Sequence, residues 1–254
     1  MKNLTVGSIP RHLLEMALPI SAGMLLQTLY FLVDLYFVGR LGDVALAGVG
    51  SAGNAQFVIF SLTQMLGVST VALISQAVGR KDRERANLIF NQSLAIAAIA
   101  TLGTLLFGYA AIGPYMRTIG ADAATAAAGA TYLAWFLPGL ALQFPMIAAG
   151  SALRGTGIVK PTMLVQALTV LLNAALAPVL IGGWITGHPL GVAGAGLASS
   201  LAILAGVILT AIYFHKLEKY VAVHGAALRP RLALWREMFR IGLPAGGEFF
   251  VMFV

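Results

Sequence analysis

One carboxylate, Asp34, lies within the first long apolar stretch of the chain, residues 19–40, PISAGMLLQTLYFLVDLYFVGR. Residues 14–38 are almost wholly apolar. As a helix they span roughly 38 Å at ~1.5 Å per residue, enough for a hydrocarbon core of ~30 Å with some tilt. A charge at the centre of such a helix costs ~2.5–3.5 kcal/mol on insertion scales. Asp34 therefore faces a wet protein interior or carries a proton, and the chemistry open to it is reversible binding of a proton or a cation. Counting back at helical spacing places Tyr30, Gln27 and Gly23 on the same face, a narrow polar stripe that ends in an acid. Pro19 precedes Asp34 by fifteen positions and can kink the same helix. The competing role is a structural acid paired with a polar group on a neighbouring helix. Intramembrane ionisable residues default to function, so Asp34 is read as an ion- or substrate-handling group.

Other polar residues fall within apolar stretches: Asn54, Gln56, Gln64, Gln143, Gln166 and Asn173. Each alone is accounted for by an interhelical hydrogen bond. Gln27 and Gln56, with Phe57 beside them, are assigned to a cavity. Further aromatics (Tyr30, Tyr36, Phe60, Phe136, Phe144) could hold cations over their faces or equally well fill the core. Residues 48–53, GVGSAG, match G-x-G-x-x-G literally, but they sit inside an apolar run with no strand before them. Small residues that let helices pack closely explain them better. The sequence holds no G-x-S-x-G, Walker or H-E-x-x-H motif, no Cys, and no two His spaced i, i+3 or i, i+4. The reading is therefore a protein that is not an enzyme, with no metal site and no cofactor. Glu15 is placed at the interface, and Glu248 is given no role.

The elements that must position these groups are membrane helices. Charged residues make up only 10% of the chain and hydrophobic ones 59%, far from the balance of a soluble domain. Hydropathy gives spans at 14–38, 44–78, 87–113, 123–153, 161–182 and 192–214, with a seventh starting at 241. The first is too long for a signal-peptide core and lacks a clear cleavage site, so it is read as retained. Of the 16 Lys and Arg, only Arg40 and Arg117 fall on one side of these spans, and all others fall on the opposite side. Positive-inside bias then places the N-terminus in the cytoplasm and Asp34 toward the outer half of its helix. The basic residues lie at span ends, which is topology rather than a nucleic-acid surface. Residues 215–240 are longer and more basic than the other connections and read as a cytoplasmic linker. Beyond it, WREMFRIGLP (235–244) overlays PRHLLEMALP (10–19), with Arg236 on Arg11, Leu243 on Leu18 and Pro244 on Pro19. A second copy of a six-span unit is expected to begin there, as in transporters built from repeats. The chain stops at Val254, so it is expected to be part of a protein nearly twice as long.

Four motifs, in order and at the right spacing against the spans, resemble the multidrug and toxic compound extrusion (MATE) family. They are VDLYFVGRLGDVALAGVG (33–50), ISQAVGRKDRERA (74–86), GSALRGTGIVKPT (150–162) and LLNAALAPVLIGG (171–183). The resemblance implies an all-α polytopic bundle, the six-helix N-terminal lobe of a twelve-helix, two-lobe antiporter. In this division 1–214 is the lobe, 215–240 the linker and 241–254 the start of the second lobe. It implies export of organic cations in exchange for H⁺ or Na⁺ across the bacterial inner membrane, among lipid and beside the missing C-terminal lobe. Asp34 matches the first-helix acid implicated in coupling, Pro19 the proline proposed to respond to it, and Asn173 a fifth-helix asparagine near that acid. One departure is Ala177, where members with a fuller cation site carry Asp. This weakens a multi-carboxylate Na⁺ site and favours a single protonatable acid. The alternatives are a lipid-linked oligosaccharide flippase of the same superfamily, which would favour more cationic residues in its cavity, and a non-transporting half-protein.

The orientation has a direct test, because the chain has no native Cys. A single cysteine at Lys81 or Lys219 should react with an impermeant thiol reagent only after the membrane is opened. Labelling of either in intact cells would reverse the topology.

Overall fold

The computed structural model describes residues 9–185, 187–216 and 220–253. Among the described residues, seven α-helices follow one another: α1 Ile9–Gly39, α2 Asp43–Gly79, α3 Arg83–Ile119, α4 Ala123–Gly155, α5 Lys160–Gly182, α6 Val192–Lys216 and α7 Leu232–Phe253, with a 3-10 turn at Gly225–Leu228 before the last. Helices α2 to α6 are each long and apolar enough to cross a membrane, and α1, at 31 residues, has the length as well. Their bounds match the expected spans to within six residues, the widest differences being the start of α1 at Ile9 and the end of α3 at Ile119. The seventh does not. It begins at Leu232 rather than 241, and α6 runs on to Lys216. The first turns of α7 carry Arg236, Glu237 and Arg240, which end an apolar window without ending a helix. The connection between α6 and α7 is correspondingly shorter than 215–240.

Short turns force sequential helices to run antiparallel. The α2–α3 turn closes with Lys81 in the left-handed region at φ 59°, its N–H bonded to Val78 O, while Asp82 N bonds Ala77 O. Asp82 then caps α3 by accepting from Arg85 N, and Asp122 caps α4 by accepting from Thr125 N. Bonds from Thr125 hold the Asp122 carboxyl below the usual carboxylate range. Gly183 ends α5 at φ 65°, where a Cβ would strike Pro189 N at 2.7 Å.

Helix α4 is the centre of the bundle, packed against α2, α3 and α6, while α5 joins α6 to α1. In lipid, such packing relies on close backbone approach rather than on a hydrophobic drive. A Cβ on Gly48 of α2 would lie 2.8 Å from Gly129 N and from Thr125 O of α4. One on Gly196 of α6 would lie 2.5 Å from Tyr132 O of α4. The covered interior is rich in alanine (Ala52, Ala148, Ala177, Ala198), while large apolar side chains such as Leu25, Phe107 and Leu171 stay exposed. That inversion of size suits a lipid-facing exterior.

Two prolines within α4 require further partners. Pro138 and Pro145 have no N–H, so the carbonyls of Ala134 and Ala141 lose their intrahelical donors. Tyr109 Oη donates to Ala134 O at 3.0 Å, and Thr101 Oγ1 donates to Ala141 O at 3.0 Å. Both donors stand on α3, two turns apart. On the opposite flank, Ser200 of α6 enters the ladder beside Pro138: its hydroxyl accepts from Gly139 N at 3.1 Å and donates to Trp135 O at 2.6 Å. The proline pattern of α4 thus fixes α3 and α6 against it.

The literal G-x-G-x-x-G resolves into one packing glycine and two open ones. A Cβ at Gly50 or Gly53 would meet nothing within 4 Å. Gly48→Ala should therefore destabilise the bundle by about 1–3 kcal/mol, since backbone on both sides cannot give way. Gly50→Ala should be neutral or stabilising by up to about 1 kcal/mol. Equilibrium unfolding of the two variants in a bilayer or detergent checks the contrast.

Candidate functional site

Asp34 stands five residues before the end of α1, about 7.5 Å from it along the axis. It is buried, with 7% of its surface exposed. Tyr132 Oη of α4 donates to Asp34 Oδ2 at 3.1 Å. The Ser199 hydroxyl of α6 also faces the carboxylate. Asn173 of α5 donates from Nδ2 to Ser199 Oγ at 3.1 Å, which leaves the serine proton free to point toward the acid. Asp34 Oδ1 completes no hydrogen bond with any described residue. Four helices, α1, α4, α5 and α6, thus meet at one acid with one oxygen left over.

The positions of these donors follow from local packing. Gly196 lets α6 approach Tyr132 O closely, and Ser199 follows one turn later on the same face. The Tyr132 ring packs at 5.2 Å from Phe136 in a cluster with Val38, Ala177 and Ile181. Ala177, fully buried one turn after Asn173, adds a methyl group to the same cluster. Among the described residues, the polar groups gathered at the acid are Tyr132, Ser199 and, through Ser199, Asn173. Other buried hydroxyls, such as Ser69, Thr70 and Ser93, bond carbonyls of their own helices.

Asn173 joins the acid through Ser199 rather than directly. Gly23, part of the expected polar stripe, turns toward α5, where a Cβ on it would lie 3.1 Å from Gln166 Oε1. The side chains of Pro19, Gln27 and Tyr30 lie outside the described residues, although α1 runs as a helix through all three positions. Gln56 and Phe57 are half-buried on α2, and neither is a hydrogen-bonding partner of the Asp34 carboxylate. Tyr36 is exposed and engaged at the end of α1, where Arg40 donates to its hydroxyl and stacks 4.6 Å from its ring centre. Phe136 and Phe144 are core residues. Tyr132 and Ser199 were not singled out from the sequence. A tyrosine in an alanine-rich span was a signal, since a buried phenol needs a partner. Ser199 offered none that set it apart from the other span serines.

Fold and site together define a multi-pass membrane protein with a buried acid held between four helices. The MatE family profile matches residues 19–179, and the chain belongs to that family. It is 28% identical over 240 residues to the multidrug export protein MepA of Staphylococcus aureus (strain NCTC 8325 / PS 47), covering 92% of this chain and 51% of MepA. It is 26% identical to the probable multidrug resistance protein NorM of Bacillus cereus (strain ATCC 10987 / NRS 248), covering 85% of this chain and 48% of that one. Among solved structures, the outward-facing conformation of a multidrug resistance MATE family transporter of the MOP superfamily superposes with a TM-score of 0.89 at 27% identity, over 97% of this chain and 54% of the other. A MOP superfamily transporter from Pyrococcus furiosus, described as having a binding pocket of reversed polarity, gives 0.83 at 27% identity, over 96% and 53%. The chain spans about half the length of the relatives it matches.

The Tyr132 bond reports the charge on Asp34. A hydrogen bond to an ionised group is worth about 1.5–3 kcal/mol and one between neutral groups about 0.5–1.5 kcal/mol. Tyr132→Phe should therefore cost more stability at high pH, where Asp34 is ionised, than at low pH, where it is protonated. In an Asp34→Asn background the cost should shrink by about 1 kcal/mol and lose its pH dependence. Unfolding measured across pH for the four members of this cycle checks both.

Proposed function

We propose that this chain is the N-terminal half of a bacterial inner-membrane antiporter that exports organic cations in exchange for protons. The observation that carries the reading is the open Oδ1 of Asp34, a buried carboxylate oxygen whose lone pairs no described residue fills. A proton or a cation would satisfy it. With Ala177 in place of a second acid, the site offers one negative charge, which suits a single proton.

The positive-inside bias supports an N-terminus in the cytoplasm, with Asp34 nearer the outer face. In the outward-open state external protons reach the acid, and its protonated form no longer attracts a cationic substrate. Deprotonation toward the cytoplasm restores the charge. Tyr132 and Ser199 hold the carboxylate in place while its charge changes, and Asn173 orients Ser199. The driving force is ~2.3 kcal/mol per charge per 100 mV, with ~1.4 kcal/mol added per pH unit. The kinship with proteins described as multidrug exporters supports drug-like cargo, and the absence of bases from the middle of the spans supports cationic cargo. The substrate path would lie between this bundle and a second lobe.

The test is cation efflux from proteoliposomes holding the full-length protein, under an imposed pH gradient. Asp34→Asn keeps the shape of the site and mimics the protonated acid, so it should insert normally yet lose gradient-driven efflux. An imposed Na⁺ gradient should drive little efflux in the wild type. Undiminished pH-driven efflux in Asp34→Asn would make the acid structural.

A further inference from the structure

The segment between α6 and α7 is held by α3 in a way that the transport reading does not require. Three amides, Asn87, Asn91 and Gln92, bond its backbone. Asn87 donates to Tyr220 O at 3.0 Å and accepts from Ala222 N at 2.8 Å. Asn91 donates to Ala222 O at 2.8 Å and accepts from His224 N at 2.8 Å. Positions 220, 222 and 224 alternate as on one edge of a strand, with amide side chains in place of a neighbouring strand. Gln92 donates to Ala227 O at 2.6 Å and Arg229 O at 2.8 Å, and accepts from Arg231 N at 2.8 Å and the Trp235 indole at 2.7 Å. A primary amide has two donors and two acceptor sites, so Gln92 spends all four on this contact. Asn91 and Gln92 are fully buried.

The contact extends into α7. Arg85 holds Glu237 with both carboxylate oxygens at 3.1 Å. Farther along, α7 lies flush against α2: a Cβ on Gly242 would be 2.3 Å from Met65 O, and one on Gly246 3.1 Å from Ser61 O. The amides grip the strap through its backbone, and the α7 side chains engaged in the contact are Trp235 and Glu237.

We propose that Asn87, Asn91 and Gln92 are positioning residues that read the backbone of 220–231 as a strap and set the register in which α7 leaves it. The first half of α7 is then carried by the α1–α6 bundle as part of the same body. In a two-lobe transporter, relative motion of a second lobe would have to begin beyond this clasp. These contacts involve α2, α3, the strap and α7, and they stand whether or not the chain takes part in transport.

Amide hydrogen exchange resolved to single residues, on the purified chain in nanodiscs, tests it. In the wild type, Ala222, His224 and Arg231 should exchange about 100-fold or more slowly than in an unstructured peptide. Gln92→Leu should speed Arg231 and the Trp235 indole N–H by about tenfold or more while Ala222 stays protected. Should Gln92→Leu fail to fold, Asn87→Ala, at a half-buried position, gives the converse pattern: Ala222 faster, Arg231 and the Trp235 indole unchanged. Free-peptide rates at all three amides in the wild type would overturn the proposal, as would variants that speed the whole strap alike.

Discussion

Pro138 and Pro145 leave two carbonyls of α4 without intrahelical donors, and in an apolar surrounding each such group costs several kcal/mol unless another helix supplies one. Tyr109 and Thr101 of α3 supply both, and Ser200 of α6 steps into the ladder beside Pro138. The central helix is therefore usable only in the company of those two neighbours, at one depth and one rotation. Close glycine contacts reinforce the arrangement, with Gly48 against Gly129 between α2 and α4 and Gly196 against Tyr132 O between α6 and α4. Satisfying the backbone decides where α4 and α6 sit, and the site is a by-product of that placement.

With α4 and α6 fixed, Tyr132 and Ser199 converge on Asp34, which α1 brings in. The acid is thereby held from two helices by neutral donors and faces no fixed cation among its described partners. Neutral donors can stabilise a carboxylate without committing it to ionisation, whereas a paired Arg or Lys would lock the charge in. Burial without a counter-ion is costly, and carboxylates held in this way cluster at functional sites.

At the other end of the bundle the same chemistry serves a different purpose. Asn87, Asn91 and Gln92 satisfy the backbone of an extended segment that has no strand to pair with. Unpaired backbone groups tucked against a helix would be costly, so the amides turn a connection into a fixed part of the structure. Val221 and Met238 sit in the core cluster with Leu73, Phe90 and Phe144, so the strap is anchored by burial as well.

The sequence by itself determined the helices, their order and the acid. Apolar runs of membrane length are unambiguous, and an Asp within one stands out because its insertion is unfavourable. The start of α7 escaped hydropathy, because Arg236, Glu237 and Arg240 interrupt the apolar pattern but not the helix. The partners of Asp34 escaped as well. Helical spacing on α1 suggested Tyr30, whose side chain lies outside the described residues, but gave no sign of Tyr132, about a hundred residues away, which binds the acid, or that Asn173 would reach it through Ser199. Periodicity describes neighbours along one helix, whereas these contacts depend on how far apart and at what rotation helices pack. That is set by glycines, prolines and hydroxyls acting across helices, and only the tertiary structure reveals which of them meet.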